Sequence, residues 1–324
     1  MARDFIFRSV LIAVGVLAAA VPAAQAQTFS GKPVHLIVPF PAGGTVDTTA
    51  RLLQPGLQEA LGQPVVVENK PGADGTVGSG LVAKSPPDGT TLLVVLETHA
   101  INAAIDPKLP YDTERDFAAV TLVGTIPYVI LTNNQVPAKT LADFVALARA
   151  TPGRLNYGSP ASATRLAAEL FNSQTGIKIT HVAYRGGAPA VQSLVANETQ
   201  VTFLPPFGAM PLIQAGQLRA LAVAGPKRLA ALPNVPTTAE AGFAGYEATT
   251  WVGMFAAAGT PPAIVDRLYG DTAEVLKAPK LVERLRELGM EVAATPPAQF
   301  QRFVGAEIAK WTKVARDNNI TAEH

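Results

Sequence analysis

The stretch Pro39-Phe40-Pro41-Ala42-Gly43-Gly44-Thr45-Val46-Asp47-Thr48-Thr49-Ala50-Arg51 follows a short apolar run, Val34 to Val38, and leads into residues with apolar spacing of a helix. That order reads as strand, glycine turn, helix start. Free backbone N–H groups gather at such a start, at the positive end of the helix dipole, and suit an anion. No Lys-Ser/Thr follows the glycines and there is no G-x-G-x-x-G, so the turn is neither a P-loop nor a dinucleotide fingerprint. A carboxylate fits it better than a nucleotide phosphate.

Three more loops offer comparable chemistry: Thr98-His99-Ala100, Ser159-Pro160-Ala161-Ser162-Ala163-Thr164-Arg165, and Tyr184-Arg185-Gly186-Gly187-Ala188. Any one of them alone reads as a plain connection between elements. Together they point to a ligand site. Asp47 and Arg51, at i and i+4, read either as a surface ion pair with the acid offsetting the helix dipole, or as ligand contacts. His181, on an apolar run, reads as a structural histidine.

Catalytic motifs are missing: there is no G-x-S-x-G and no H-E-x-x-H. The four histidines, His35, His99, His181 and His324, are far apart, which argues against a metal cluster. No cysteine is present, so disulfides, thiol catalysis and a lipid on cysteine are excluded. No cofactor is expected.

Arg3 and Arg8, the apolar run Val10 to Val21 and Ala24-Gln25-Ala26 make residues 1–26 an export leader, cleaved before Gln27. The apolar run is too short for an ordinary transmembrane helix, so the exported product is expected to be soluble rather than membrane-embedded. The whole chain has 26 basic and 25 acidic residues; the leader holds two of the first and one of the second, so the mature chain is formally neutral. That neutrality, with only 6% aromatic residues to stack on bases, gives no case for nucleic acid.

The elements that position these loops alternate. Thr48 to Leu61 reads as a helix, Val65 to Val67 as a strand, Val77 to Ala83 as a helix and Leu92 to Leu96 as a buried strand. The alternation restarts after Thr125: strands at Tyr128–Thr132, Asn156–Ser159, Ile179–Ala183, Gln200–Leu204 and Leu218–Val223, with helices at 140–150, 163–174, 188–196 and 209–215. Thr140 is the expected N-cap before Asp143, and Gly176 the expected helix stop. A strand at 248–256 and three helices to residue 318 close the chain. These two rounds predict a bilobed α/β protein, each lobe a mostly parallel sheet flanked by helices: lobe 1 from 27–125 plus 249–324, lobe 2 from 126–248. Ligands of open α/β sheets bind beyond the carboxyl ends of the strands, and in two lobes those ends can face across a cleft.

From Lys32 to Ile320 the chain resembles the substrate-binding proteins of the tripartite tricarboxylate transporter family, the Bug-type periplasmic receptors. The resemblance rests on Val38 to Asp47, Glu68-Asn69-Lys70-Pro71-Gly72-Ala73, Thr98-His99-Ala100-Ile101-Asn102, His181 to Ala190, Leu221-Ala222-Val223, Leu232 to Gly242 and Trp251-Val252-Gly253-Met254-Phe255, in this order. It implies a two-lobed Venus flytrap fold of the periplasmic-binding-protein kind. It also implies a monomeric periplasmic receptor that binds a small organic carboxylate and delivers it to a two-component membrane permease. The ligand-binding positions it implies, with the loops above, are Pro41, Ala42, Gly43, Gly44, Asp47, Thr98, His99, Ser159, Ser162, Thr164, Arg165, Tyr184, Arg185, Gly186 and Phe207.

The chain departs from the family at three places. The Ser159–Arg165 loop is shorter and has alanines for glycines; Arg165 stands where a histidine is usual; and Leu204-Pro205-Pro206-Phe207 replaces a segment that often carries an aspartate. The last removes a partner for an ammonium group, which favours a carboxylate without an amino group, with an apolar or aromatic body against Phe207. Arg165 or Arg185 adds a carboxylate contact or is a solvated helix-end residue. A receptor feeding a membrane sensor, and an exported hydrolase, are the rival roles.

Overall fold

The structure, a computed structural model, describes residues 31–317. The leader assigned to residues 1–26 lies outside them. In chain order the elements are β1 (Val34–Val38), α1 (Thr45–Leu61), β2 (Val65–Asn69), a 3-10 turn (Ala73–Gly75), α2 (Thr76–Ala83), β3 (Thr91–Leu96), α3 (Thr98–Ile105) and β4 (Phe117–Pro127). Then come β5 (Val129–Asn133), α4 (Leu141–Ala150), β6 (Asn156–Ser159), α5 (Ser162–Thr175), β7 (Thr180–Ala183), α6 (Gly187–Val195), β8 (Val201–Leu204), α7 (Met210–Gln214) and β9 (Leu218–Val223). The chain closes with β10 (Thr249–Ala257), α8 (Pro262–Val275), α9 (Pro279–Glu287), β11 (Glu291–Thr295) and α10 (Pro297–Asp317).

Two sheets result, in the orders β11-β4-β10-β3-β1-β2 and β7-β6-β8-β5-β9. Both are mixed, which corrects the mostly parallel expectation. In the first, β1 runs parallel to β2 and β3, while β10 is antiparallel to β3 and β4. In the second, β6 runs parallel to β7 and β8, while β5 is antiparallel to β8 and β9. The antiparallel pairs come from the strands that pass between the sheets. Two strands were also missed by the sequence reading, β4 and β11.

Alternation along each strand buries both faces. Leu36 and Val38 of β1 pack with Leu53 and Leu57 of α1 and Leu268 of α8. Ile37, between them, faces the other side with Val82 of α2 and Phe300 and Val304 of α10. In the second sheet Ile130 and Phe203 pack on Phe144 and Phe171, while Val129 and Leu204 pack on Val191 and Met210. Local signals fix the helix ends. Thr140 and Asp143 form a reciprocal capping box at α4, and Gly176 ends α5 in the left-handed region at φ 67°. Gly253 needs the smallest residue: a Cβ there would lie 2.3 Å from Cζ of Phe300.

The two lobes meet at the crossings, at an apolar patch between α5 and the helices α3 and α10, and at Phe207, which packs into the first lobe's core. Tyr128 donates its N–H to the Ala248 carbonyl, Ala248 to Ala224 and Ala224 to Tyr128, so both passages run side by side. Glu97, at the end of β3, ties them further: its carboxyl accepts the hydroxyls of Tyr128 and of Thr250. Ala163 and Leu166 of α5 pack against Ile101 and Ile105 of α3 and Trp311 and Ala315 of α10. Burial pushes the Glu97 carboxyl up to about 8 from an ordinary 4.5, against the bond from Tyr128, with the nearby Glu307 and Asp74 adding to the rise.

Two outcomes follow from this packing. Glu97 binds its proton more tightly folded than unfolded. Its contribution to stability is therefore complete below pH 4.5 and is lost as pH rises through about 8. Thermal melts should show wild type falling relative to Glu97→Gln by a few degrees between pH 5 and pH 9; parallel melting profiles would contradict this. Gly253→Ala should cost roughly 1–3 kcal/mol through overpacking against Phe300, read from urea unfolding.

Candidate functional site

A cavity of about 330 Å³ lies between the two lobes. The first lobe supplies Phe40 to Val46 and Leu96 to Thr98; the second supplies Pro160 to Thr164 except Ser162, Arg185 to Gln192 except Ala190, and Leu204, Pro205, Gly208 and Leu212. Four helices begin at its wall: α1 with Gly44, Thr45 and Val46, α3 with Glu97 and Thr98, α5 with Ala161, Ala163 and Thr164, and α6 with Gly186, Gly187 and Ala188. Each leaves amides of its first turn without intrahelical partners. Phe40, Leu96, Val191, Leu204 and Leu212 make the wall between them apolar. Glu97 and Arg185 are the charged side chains lining the cavity, among the described residues. Such a site offers backbone donors and dipole ends to an anion, with an apolar body between.

The glycine loop is braced from behind. Asp47 is buried and accepts the Gly43 N–H at 2.9 Å, Arg51 Nε at 3.0 Å and Asn69 Nδ2 at 3.0 Å. Burial alone would raise its carboxyl, but the bonds from Arg51, Gly43 and Asn69 outweigh it and hold the acid below its usual range. Gly43 takes a left-handed φ of 80°, which lets the chain turn from β1 into α1. Gly186, at φ 108°, comes so close to the opposite loop that a Cβ would lie 3.4 Å from Cγ of Pro41. The two loops thus approach each other across the cavity mouth.

The structure brings Pro41, Ala42, Gly43, Gly44, Thr98, Thr164, Arg185 and Gly186 to the cavity wall. The Thr98 hydroxyl is buried there without a hydrogen-bond partner. Thr164 is committed to its own helix start, donating to the Ala161 carbonyl at 2.8 Å.

The other expected positions do not line the cavity, and each faces a different neighbour. Asp47 is the brace just described. His99, one residue on from Thr98 along α3, turns into the core, with ring centroids 4.7 Å from Phe117 and 5.2 Å from Phe255. Neither ring nitrogen has a hydrogen-bond partner, and burial pushes the imidazole down to about 3. Phe207 packs into the core of the first lobe with Val38 and Val46 rather than against a ligand. Ser159 Oγ sits 2.6 Å from His181 Nε2, away from the cavity. Ser162 gives its backbone N–H to Asp74 at 3.0 Å. Arg165 interacts with Tyr157 instead of the cavity, and Tyr184 covers Gly158 with its ring edge.

Sequence reasoning missed Glu97, Tyr128 and Pro205 in the wall, and Asp74 behind α5. Glu97 carried a signal, an acid directly between a buried strand and Thr98. It also revises the view that the cleft has lost its acid. A larger, open depression of about 560 Å³ gathers Asp106, Asp112 and Glu114. There Asp106 and Asp112 accept amides of their own turns, and none of the four helix starts lines it.

Residues 49–320 match the family described as Tripartite tricarboxylate transporter family receptor. Protein BugT of Bordetella pertussis is 35% identical over 297 residues, spanning 90% of this chain and 91% of that protein. Among solved structures, R. palustris Rpa4515 with adipate shares 38% identity at a TM-score of 0.86, covering 89% of this chain and 98% of that one. MatC (Rpa3494) from Rhodopseudomonas palustris with bound malate shares 33% identity at a TM-score of 0.81, covering 87% and 98%. With this coverage and the two-lobed fold, the chain belongs to the tripartite tricarboxylate transporter receptor family, the family of the Bug proteins.

Proposed function

We propose that the protein is a periplasmic solute receptor that holds a small organic carboxylate in the cavity between its lobes and delivers it to a two-component membrane permease. The carrying observation is the meeting of the starts of α1, α3, α5 and α6 at one largely apolar cavity with a single basic side chain, Arg185. A carboxylate caught by backbone amides leaves no unpaired cation buried when the site is empty. The relatives found with adipate and malate support the ligand class. Among the described residues no helix is long and apolar enough to cross a membrane, in keeping with a partner that supplies the membrane passage.

A receptor rather than an enzyme also suits the one hydroxyl–imidazole pair in the second lobe. Ser159 is buried and bonded to His181 off the cavity wall, so it has no path to a bound acid. Closure works as a hinge at the two crossings, which ligand stabilises to the extent that it binds the closed form better. A monomer satisfies this scheme.

Thermal shift against mono-, di- and tricarboxylates and aromatic acids is the direct measurement. Ligand at about 100 times its Kd should add roughly 2.7 kcal/mol of stability and raise Tm. A shift with sugars or cations and with no acid would overturn the proposal. Gly44 has extended backbone, φ −80° and ψ 179°, and a Cβ there meets only the Pro41 carbonyl, at 3.6 Å. Gly44→Val should therefore keep the fold and weaken binding by roughly tenfold or more, as the added methyl groups take ligand space. Arg185→Ala should weaken it several-fold through a lost charge-assisted contact. Calorimetric affinities unchanged in both variants would remove this cavity as the site.

A further inference from the structure

The start of α5 is already occupied by a carboxylate of the chain itself. Asp74 sits in the first lobe, in the turn after β2, yet its Oδ2 accepts the Ser162 N–H at 3.0 Å across 88 residues. Ser162 is the first residue of α5, and its neighbours Ala161, Ala163 and Thr164 line the cavity. Asp74 therefore answers, from behind, a helix start that otherwise faces the ligand.

The position is built to do this. Ala73 and Asp74 both take left-handed φ, 44° and 50°, a conformation that costs non-glycine residues energy. The Asp74 carbonyl is held by Asn102 Nδ2 at 2.9 Å, and Asn102 is itself buried. The adjoining apolar patch, Ala163 and Leu166 on Ile101 and Trp311, presses α5 onto the same part of the first lobe.

The charges around the cavity are unequal as a result. At α1 the internal acid, Asp47, is matched by Arg51. At α6 no acid stands in the first turn, and Arg185 lines the wall beside it. Asp74 has no lysine or arginine partner among the described ion pairs, and Glu97 is the acid of the cavity wall near enough to sense it. The α1 and α6 side carries Arg185 and no unmatched acid; the α5 side has Asp74 behind it, an acid with no basic partner among the described ion pairs.

We infer that Asp74 is a specificity-determining residue: by capping α5 from within, it restricts the ligand to one carboxylate, held at the α1 and α6 side, and to an uncharged far end. A second carboxylate placed at α5 would meet an amide already taken and, behind it, the Asp74 carboxyl, whose ionised form burial already disfavours and a second anion would disfavour further. Excluding a competitor by such repulsion gives selectivity without adding a contact to the preferred ligand. The inference rests on the carboxylate reading above and narrows it, since the solved relatives named above hold adipate and malate, both dicarboxylates.

The test is calorimetric binding of two matched pairs, hexanoate with adipate and benzoate with terephthalate, to the full mature protein and to Asp74→Asn. Asparagine keeps an oxygen for the Ser162 amide and tolerates left-handed backbone, so it removes the charge and little else. Wild type should prefer the monocarboxylate of at least one pair by roughly tenfold, and Asp74→Asn should narrow that ratio roughly threefold or more, by tightening the diacid with the monoacid unchanged. Asp74→Gly, which loses the cap as well, should narrow it similarly; apo melting temperatures monitor the fold of both. Wild type binding a diacid as tightly as its partner, or a ratio unmoved by Asp74→Asn, overturns the inference and leaves the carboxylate reading standing. Failure of all four acids to bind any of the proteins overturns both.

Discussion

A helix cannot satisfy the amides of its own first turn, and the site in this protein is assembled from that constraint. Four helices, α1, α3, α5 and α6, start at the carboxyl ends of β1, β3, β6 and β7, and the two sheets turn those ends toward one cavity. Each start is answered differently. Asp47 draws back the amide of Gly43 and shapes the α1 loop. Asp74 and Thr164 serve α5. The α3 start has Glu97 at its N-cap, and the α6 start is approached by Pro41, which comes close because Gly186 has no side chain. The apolar wall then raises the strength of every donor that faces inward, because fewer waters compete.

The same cavity wall carries the mechanical coupling between the lobes. Glu97 lines it and also accepts hydroxyls from Tyr128 and Thr250, which lie on the two passages. A buried carboxyl is costly without donors, and here the donors come from the two segments that connect the lobes. The cavity wall and those connections are therefore joined through one side chain.

What the sequence made legible was whatever its local pattern encodes. The glycine loop before α1, the Thr140–Asp143 cap and the Gly176 stop are set by residues within a turn of one another, and each stands as expected. Strand direction is not encoded that way: β5 and β10 read as ordinary buried strands, and only their place between the lobes makes them antiparallel. β11 is short, half-exposed and irregularly paired with β4, so it left no period to find. Thr98 and His99 show the finer limit. Successive helical residues point about 100° apart, so one lines the cavity and the next joins Phe117 and Phe255 in the core. Nothing in a run of Thr-His-Ala says which. Phe207 likewise packs on the first lobe because the chain folds back there, a contact no local pattern carries.

Backbone amides are a poor place for evolution to write specificity, since every residue supplies the same N–H. The variable part of such a site is the set of side chains that stand behind or beside those amides. In this chain they are Asp47, Asp74, Glu97 and Arg185, and three of the four are acids in a site shaped for an acid. Asp47 is neutralised in place by Arg51 and so sets loop shape more than charge. Asp74 and Glu97 have hydrogen-bond donors but no basic partner among the described ion pairs, and burial pushes both carboxyls up. Selectivity in a frame of identical donors would then come from where the protein has already placed its own carboxylates.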